Sequence, residues 1–212
     1  MILRMGWPCK ARRAMQLIEE GQAQEAADDP DVIIPDRIAR PLLVSSNLML
    51  ITAMVAAAQS VWPLCASAAA VWVTSLLHWY APRFSSFRRY LDYAAVASMV
   101  MVGGWIAVNH SRSFAWMLTY FVGLALIGVI FTVNETLYYF QLQRTPAGGH
   151  MTAGRDKLTG MLACLAPTQP GTAEQLWAYQ RAMWVHLLCV HVLAAALANI
   201  LLLFGLRPAD SV

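Results

Sequence analysis

Between Pro41 and Pro82 the chain runs for 42 residues without an Asp, Glu, Lys or Arg. A helix needs ~20 largely apolar residues to cross the hydrocarbon core of a bilayer, so this stretch is long enough for two crossings. Gln59-Ser60-Val61-Trp62-Pro63 interrupts it with a polar pair, an interfacial aromatic and a helix breaker. The expectation is a helical hairpin that turns between Gln59 and Pro63. Three further charge-free stretches, of 19 (Tyr93–Ser111), 22 (Ser113–Asn134) and 25 residues (Ala182–Leu206), each suit one crossing. The chain therefore reads as all-α, an integral membrane bundle of five transmembrane helices at about 42–59, 63–80, 92–110, 114–138 and 182–205. Its 58% hydrophobic and 13% charged residues fit a chain whose solvent is partly lipid.

Basic residues orient such a bundle. Assigning Lys and Arg alternately to the two sides puts 13 of the 15 together, on residues 1–40, 81–91 and 141–181, and leaves only Arg112 and Arg207 opposite. The N-terminus is thus expected inside and the C-terminus outside. Trp62 and Trp116 fall at the outer boundary, and Trp79, Tyr80, Tyr90, Tyr138, Tyr139, Trp177 and Trp184 near the inner one, where aromatic belts belong. Close packing between spans is expected from small residues at Ala53 and Ala57, Ala66 and Ala70, and 194–196.

Outside the spans, 1–40 reads as an inner-side polar segment with a short amphipathic helix over Cys9–Ala27, ended before Pro30. Its start is basic and free of acids before Glu19. That pattern suits an organelle-targeting peptide or a topology anchor, although serine is absent there. Residues 141–181 read as an inner-side connector with turn-forming Pro146-Ala147-Gly148-Gly149, and 207–212 as an outer tail. Cys9, Cys65, Cys164 and Cys189 form no CxxC pair, so neither a disulfide framework nor a thiolate zinc site is implied. A net charge of +3, with the basic residues spread between apolar blocks, argues against a nucleic-acid partner. The chain contains no P-loop, GxSxG, HExxH or dinucleotide fingerprint.

Ionisable and polar residues at membrane depth are costly and so mark candidate sites. The topology gathers His78, Asp92, Asn134, Glu135, His186 and His191 at the inner ends of their spans. His186 lies five residues past Arg181, about 7–8 Å along a helix. Two imidazoles and a carboxylate at one depth could make a three-ligand zinc site with an open position for water, and Ser75 lies one turn from His78 to donate a hydrogen bond. The same residues also have structural uses. His78 precedes Trp79-Tyr80, an interfacial anchor, and Asp92 follows Arg88-Arg89 near a helix start, where a negative charge is favourable. On an α-helix, residues five apart are turned roughly 140° from one another, which would point His186 and His191 to different faces.

Thr74-Ser75-Leu76-Leu77-His78, with Pro82-Arg83, Arg88-Arg89 and 91–95 (LDYAA), resembles the corresponding stretch of the hemolysin III and progestin/adiponectin-receptor proteins, which belong with alkaline ceramidases among membrane zinc hydrolases. The resemblance covers Thr74 to about Ser98. It implies a seven-span fold, a zinc held by a His of the second span and a His pair of the last, and assistance from Ser and Asp near the inner leaflet. His78, Asp92 and His186 or His191 would match. The chain departs from that pattern in carrying Thr74 where the family has its Ser, His-x4-His in place of His-x3-His, and two fewer spans.

These residues support two expectations. The first is a non-catalytic multi-pass accessory or structural subunit of a larger membrane protein complex, with no catalytic, cofactor or metal residues and with lipid and other membrane subunits as partners. It is placed in an energy-transducing organelle membrane, the mitochondrial inner membrane before an endomembrane. The second is a zinc-dependent membrane amide hydrolase acting on a lipid, with Ser75 and Asp92 catalytic and His78, His186 and His191 on the metal. A transporter or channel fits less well, since no charge or proline break lies at mid-bilayer.

Overall fold

The computed structural model describes residues 32–83, 85–142 and 173–206. They form five helices: α1 (Asp36–Ala58), α2 (Trp62–Tyr80), α3 (Phe87–His110), α4 (Phe114–Leu142) and α5 (residues 173–205). The described residues contain no strand, and two isolated antiparallel bridges, Val32 with Arg83 and Ser111 with Leu206, tie loop to loop. Helix α2 lies between α1 and α3, and α5 closes the bundle by packing on α1 and α4.

The turns follow from their residues. Ser60 adopts the left-handed region (φ 59°), the Val61 amide reaches back to the Ala56 carbonyl at 2.8 Å, and Pro63 enters α2 in its first turn, where its missing N–H is harmless. Helix α3 starts at Ser86, whose hydroxyl accepts from the Arg88 amide at 3.2 Å. Helix α1 carries Pro41 internally and changes stride at Ser46, where the Ser45 and Ser46 hydroxyls both donate to the Leu42 carbonyl (3.1 and 2.8 Å).

Four helices are long and apolar enough to cross a membrane: Asp36–Ala58, Phe87–His110, Phe114–Tyr138 and Leu176–Gly205. These suggest an integral membrane protein. The fifth, α2, has the length, at 19 residues or about 28 Å, but is not among them, its apolar residues being interspersed with Pro63, Ser67, Thr74, Ser75 and His78. The burial pattern explains the difference. Helix α2 turns Ser67, Ser75, His78 and Trp79 into the protein, whereas α4 leaves Leu118, Val122, Leu126, Val129 and Val133 exposed, as a lipid-facing surface would.

The bundle has two distinct ends. Ile33 donates its amide to the Pro82 carbonyl (3.0 Å), and Ile33, Ile34, Leu42, Trp79, Tyr138 and Tyr179 share one apolar cluster. Tyr138 hydroxyl also reaches the Ile33 carbonyl. At the other end Arg112 N–H bonds the Gly205 carbonyl (2.7 Å), and Ala56, Leu64, Ile106 and Leu202 pack together. Residues 32 and 206 thus lie at opposite ends. Arg37, Arg40, Arg83, Arg88, Arg89 and Arg181 all sit on helices or loops of the first end.

Helices α1 and α3 run from residues 36 and 87, beyond the expected spans at about 42 and 92, and 141–142 and 173–181 of the expected connector are helical, because charge-free length measures what lipid tolerates while backbone hydrogen bonding continues into polar flanks. One expectation needs correction. Ala66 and Ala70 are exposed, and the inward face of α2 is Leu64, Ser67, Ala68 and Val71. The expected N-terminal amphipathic helix, the connector at 143–172 and the tail at 207–212 lie outside the described residues.

The sidedness of the bundle is open to a direct check. Single cysteines at the exposed Ser85 and Ser113, in a background without the native cysteines, should be labelled from opposite faces of sealed vesicles. Labelling of both from one face would contradict a five-span arrangement.

Candidate functional site

The polar residues singled out from sequence gather near the basic end of the bundle, in two groups. The first joins α2 to α3. Asp92 on α3 is 7% exposed, and its Oδ1 accepts from the Ser75 hydroxyl at 2.6 Å and the Thr74 hydroxyl at 3.1 Å. Thr74 also lies within reach of the Ala70 carbonyl (3.0 Å), so its bond to Asp92 is shared, whereas Ser75 directs its hydroxyl at the carboxyl group. Ser75 therefore serves Asp92 and not His78, as its one-turn spacing from the histidine had suggested.

The second group surrounds Trp79. Its indole ring stands 4.6 Å from the His78 ring, 4.9 Å from His186 and 6.4 Å from His191, centroid to centroid. His186 and His191 are 5.3 Å apart in an edge-on arrangement, and Phe131 of α4 closes the far side of His186 at 5.7 Å. His78 and His191 are buried, at 3% and 5% exposure. The proximity of His186 and His191 overturns the expectation that they face apart. Residues His186–Leu193 form a π-helical stretch, in which hydrogen bonding runs from i to i+5, so positions five apart stack over one another. The 140° separation holds only for 3.6 residues per turn.

A serine missed in the sequence completes this group. Ser45 Oγ lies 2.7 Å from His191 Nδ1 and ties α1 to α5. With its own hydrogen directed to the Leu42 carbonyl, the Ser45 oxygen is placed to accept from a His191 that carries its proton on Nδ1. Nothing in the sequence singles it out, since Ser45-Ser46 follows an internal proline in an apolar run without charge. Deeper in the bundle, Asn199 donates to the Thr52 hydroxyl at 3.2 Å, a second tie between α1 and α5. Asn134 of α4 donates to the Ala182 carbonyl at 3.4 Å, and Glu135 beside it is half-buried.

Chemically, the arrangement offers an acceptor with two hydroxyl donors and a cluster of aromatic rings bearing imidazole nitrogens. Among the described residues no three His, Cys, Asp or Glu side chains stand together in a way that could hold a metal ion. The Trp79 indole stands against all three imidazoles. Among the described residues, His78 Nδ1 and Trp79 Nε1 are buried and meet no hydrogen-bond partner. No family model matches the chain, and neither a curated protein nor a solved structure matches it.

Proposed function

We propose that the chain is a non-catalytic, five-span accessory subunit of a larger membrane protein complex, in an organelle membrane that transduces energy. The observation that carries this reading is how the candidate residues use their polar atoms. Ser75 and Thr74 hold Asp92 across α2 and α3, Ser45 holds His191 across α1 and α5, and Asn134 holds the Ala182 carbonyl across α4 and α5. Polar side chains that join helices in this way give a bundle specificity where lipid provides no hydrophobic drive. The mitochondrial inner membrane is the first choice of organelle membrane and an endomembrane the alternative.

A second reading, the zinc-dependent amide hydrolase, is favoured by two observations. The π-helical turn gives His-x4-His the proximity that His-x3-His has on an α-helix, and His78 keeps a buried nitrogen without a partner among the described residues. Gentle solubilisation of the tagged chain separates the two readings. The subunit reading expects migration in a defined assembly with constant partners, and less than a tenth of an equivalent of zinc. A chain that runs alone and carries near one zinc, lost in His78→Ala, would replace it with the hydrolase.

A further inference from the structure

The outer side of α1, beside α5, carries a groove of about 710 Å³. Arg37, Arg40, Pro41, Val44, Leu48, Ile51 and Leu187 form its walls, together with Ser45 and Asn47. The α1 positions recur every three or four residues, so they make one stripe along the helix. Its chemistry is divided by depth. Both arginines are exposed and lie within the first turn and a half, and the stripe beyond them is apolar except for Ser45 and Asn47. Those two are already engaged, Ser45 with His191 and Asn47 with the Val44 carbonyl and the Trp72 indole. Arg37 also has an interaction of its own within the protein, and Asp36, the neighbouring acid, does not line the groove.

We propose that this groove seats one anionic phospholipid of the surrounding bilayer, its phosphate on Arg37 and Arg40 and an acyl chain along Val44, Leu48 and Ile51. The proposal rests on the membrane reading but is independent of whether the chain is a subunit or a hydrolase. Two complementarities carry it. Guanidinium groups bind phosphate oxygens in a fork, and a basic pocket beside transmembrane helices on the inner side is where acidic head groups collect. Arg40 and Ile51 are eleven residues apart, about 16 Å along the helix, which matches the ~15 Å depth of one leaflet. A soluble anion would leave the apolar part of the groove unused.

The test uses the full chain purified in detergent, with retained lipid counted by native mass spectrometry after addition of phosphatidylglycerol or phosphatidylcholine. Phosphatidylglycerol should be retained at least tenfold better, the preference expected of two basic side chains near a membrane surface. R37Q/R40Q should abolish that preference. Leu48→Trp, which fills the groove and keeps both charges, should reduce phosphatidylglycerol retention as well. R83Q/R88Q, with the same net charge change at exposed positions of the same end, should bind like the parent. Equal loss in R83Q/R88Q, full retention in R37Q/R40Q or Leu48→Trp, or complete displacement by millimolar inorganic phosphate would overturn the proposal. Each variant is compared at unchanged elution volume and melting temperature. Arg37→Lys with Arg40→Lys serves as the milder pair if the glutamine variant does not fold, and should retain phosphatidylglycerol better than Leu48→Trp.

Discussion

Trp79→Ala is expected to destabilise the bundle by about 3–5 kcal/mol, the largest effect of any single substitution around the histidines. The indole is 6% exposed and touches the rings of His78, His186 and His191, so its removal opens a cavity bordered by α2 and α5. Imidazole rings fixed by Ser45 and by the π-helical backbone cannot collapse fully into that space. Trp79→Phe retains most of the ring contacts and should lose about half as much. The measurement is reversible unfolding in mixed micelles as the denaturing detergent fraction rises. A Trp79→Ala protein within about 1 kcal/mol of the parent would show that the cluster is not a packed core.

Asp92→Ala is expected to destabilise by about 2 kcal/mol. Hydrogen bonds between membrane helices average less than ~1 kcal/mol, but Asp92 accepts two, and truncation leaves the Ser75 hydroxyl buried without its acceptor. Asp92→Asn keeps an acceptor oxygen at the same place and should lose less than half of that. Ser75→Ala should matter in the parent and add little once Asp92 is alanine, because the two residues share one interaction. Additive effects in this double-mutant cycle would mean that the short Ser75–Asp92 contact does not contribute to α2–α3 association.

Much of the helical layout could be read from where charge is missing. The interruption at Gln59–Pro63 holds the turn between α1 and α2, and the Arg112 neighbourhood holds the turn between α3 and α4. Helix ends were less legible. A run without charge stops at Pro41, but α1 continues back to Asp36 because Pro41 lacks only one backbone donor and the flanking turn is free to meet water. The candidate site was legible as a set of residues at one depth and illegible as a set of partners. Asp92 found Ser75 and Thr74 because α3 packs along the face of α2 that also carries His78. Ser45 was invisible because a hydroxyl in an apolar helix can satisfy itself on its own backbone, and nothing in its spacing announces a distant histidine.

The widened turn in α5 has a consequence for every position that follows it. Ala178, Tyr179, Ala182 and Met183 face the protein, and an uninterrupted α-helix would bring 186, 190, 193, 197 and 200 to the same side. The buried positions are instead His191, Ala195, Ala198, Leu201 and Leu202, offset by about one residue, and a second π-helical stretch at Leu201–Gly205 resets the helix again. Helix α5 is therefore read in two frames that meet at the histidines. Ungapped alignment of its sequence to a regular helix aligns one half correctly and turns the other half about 100° away from the core.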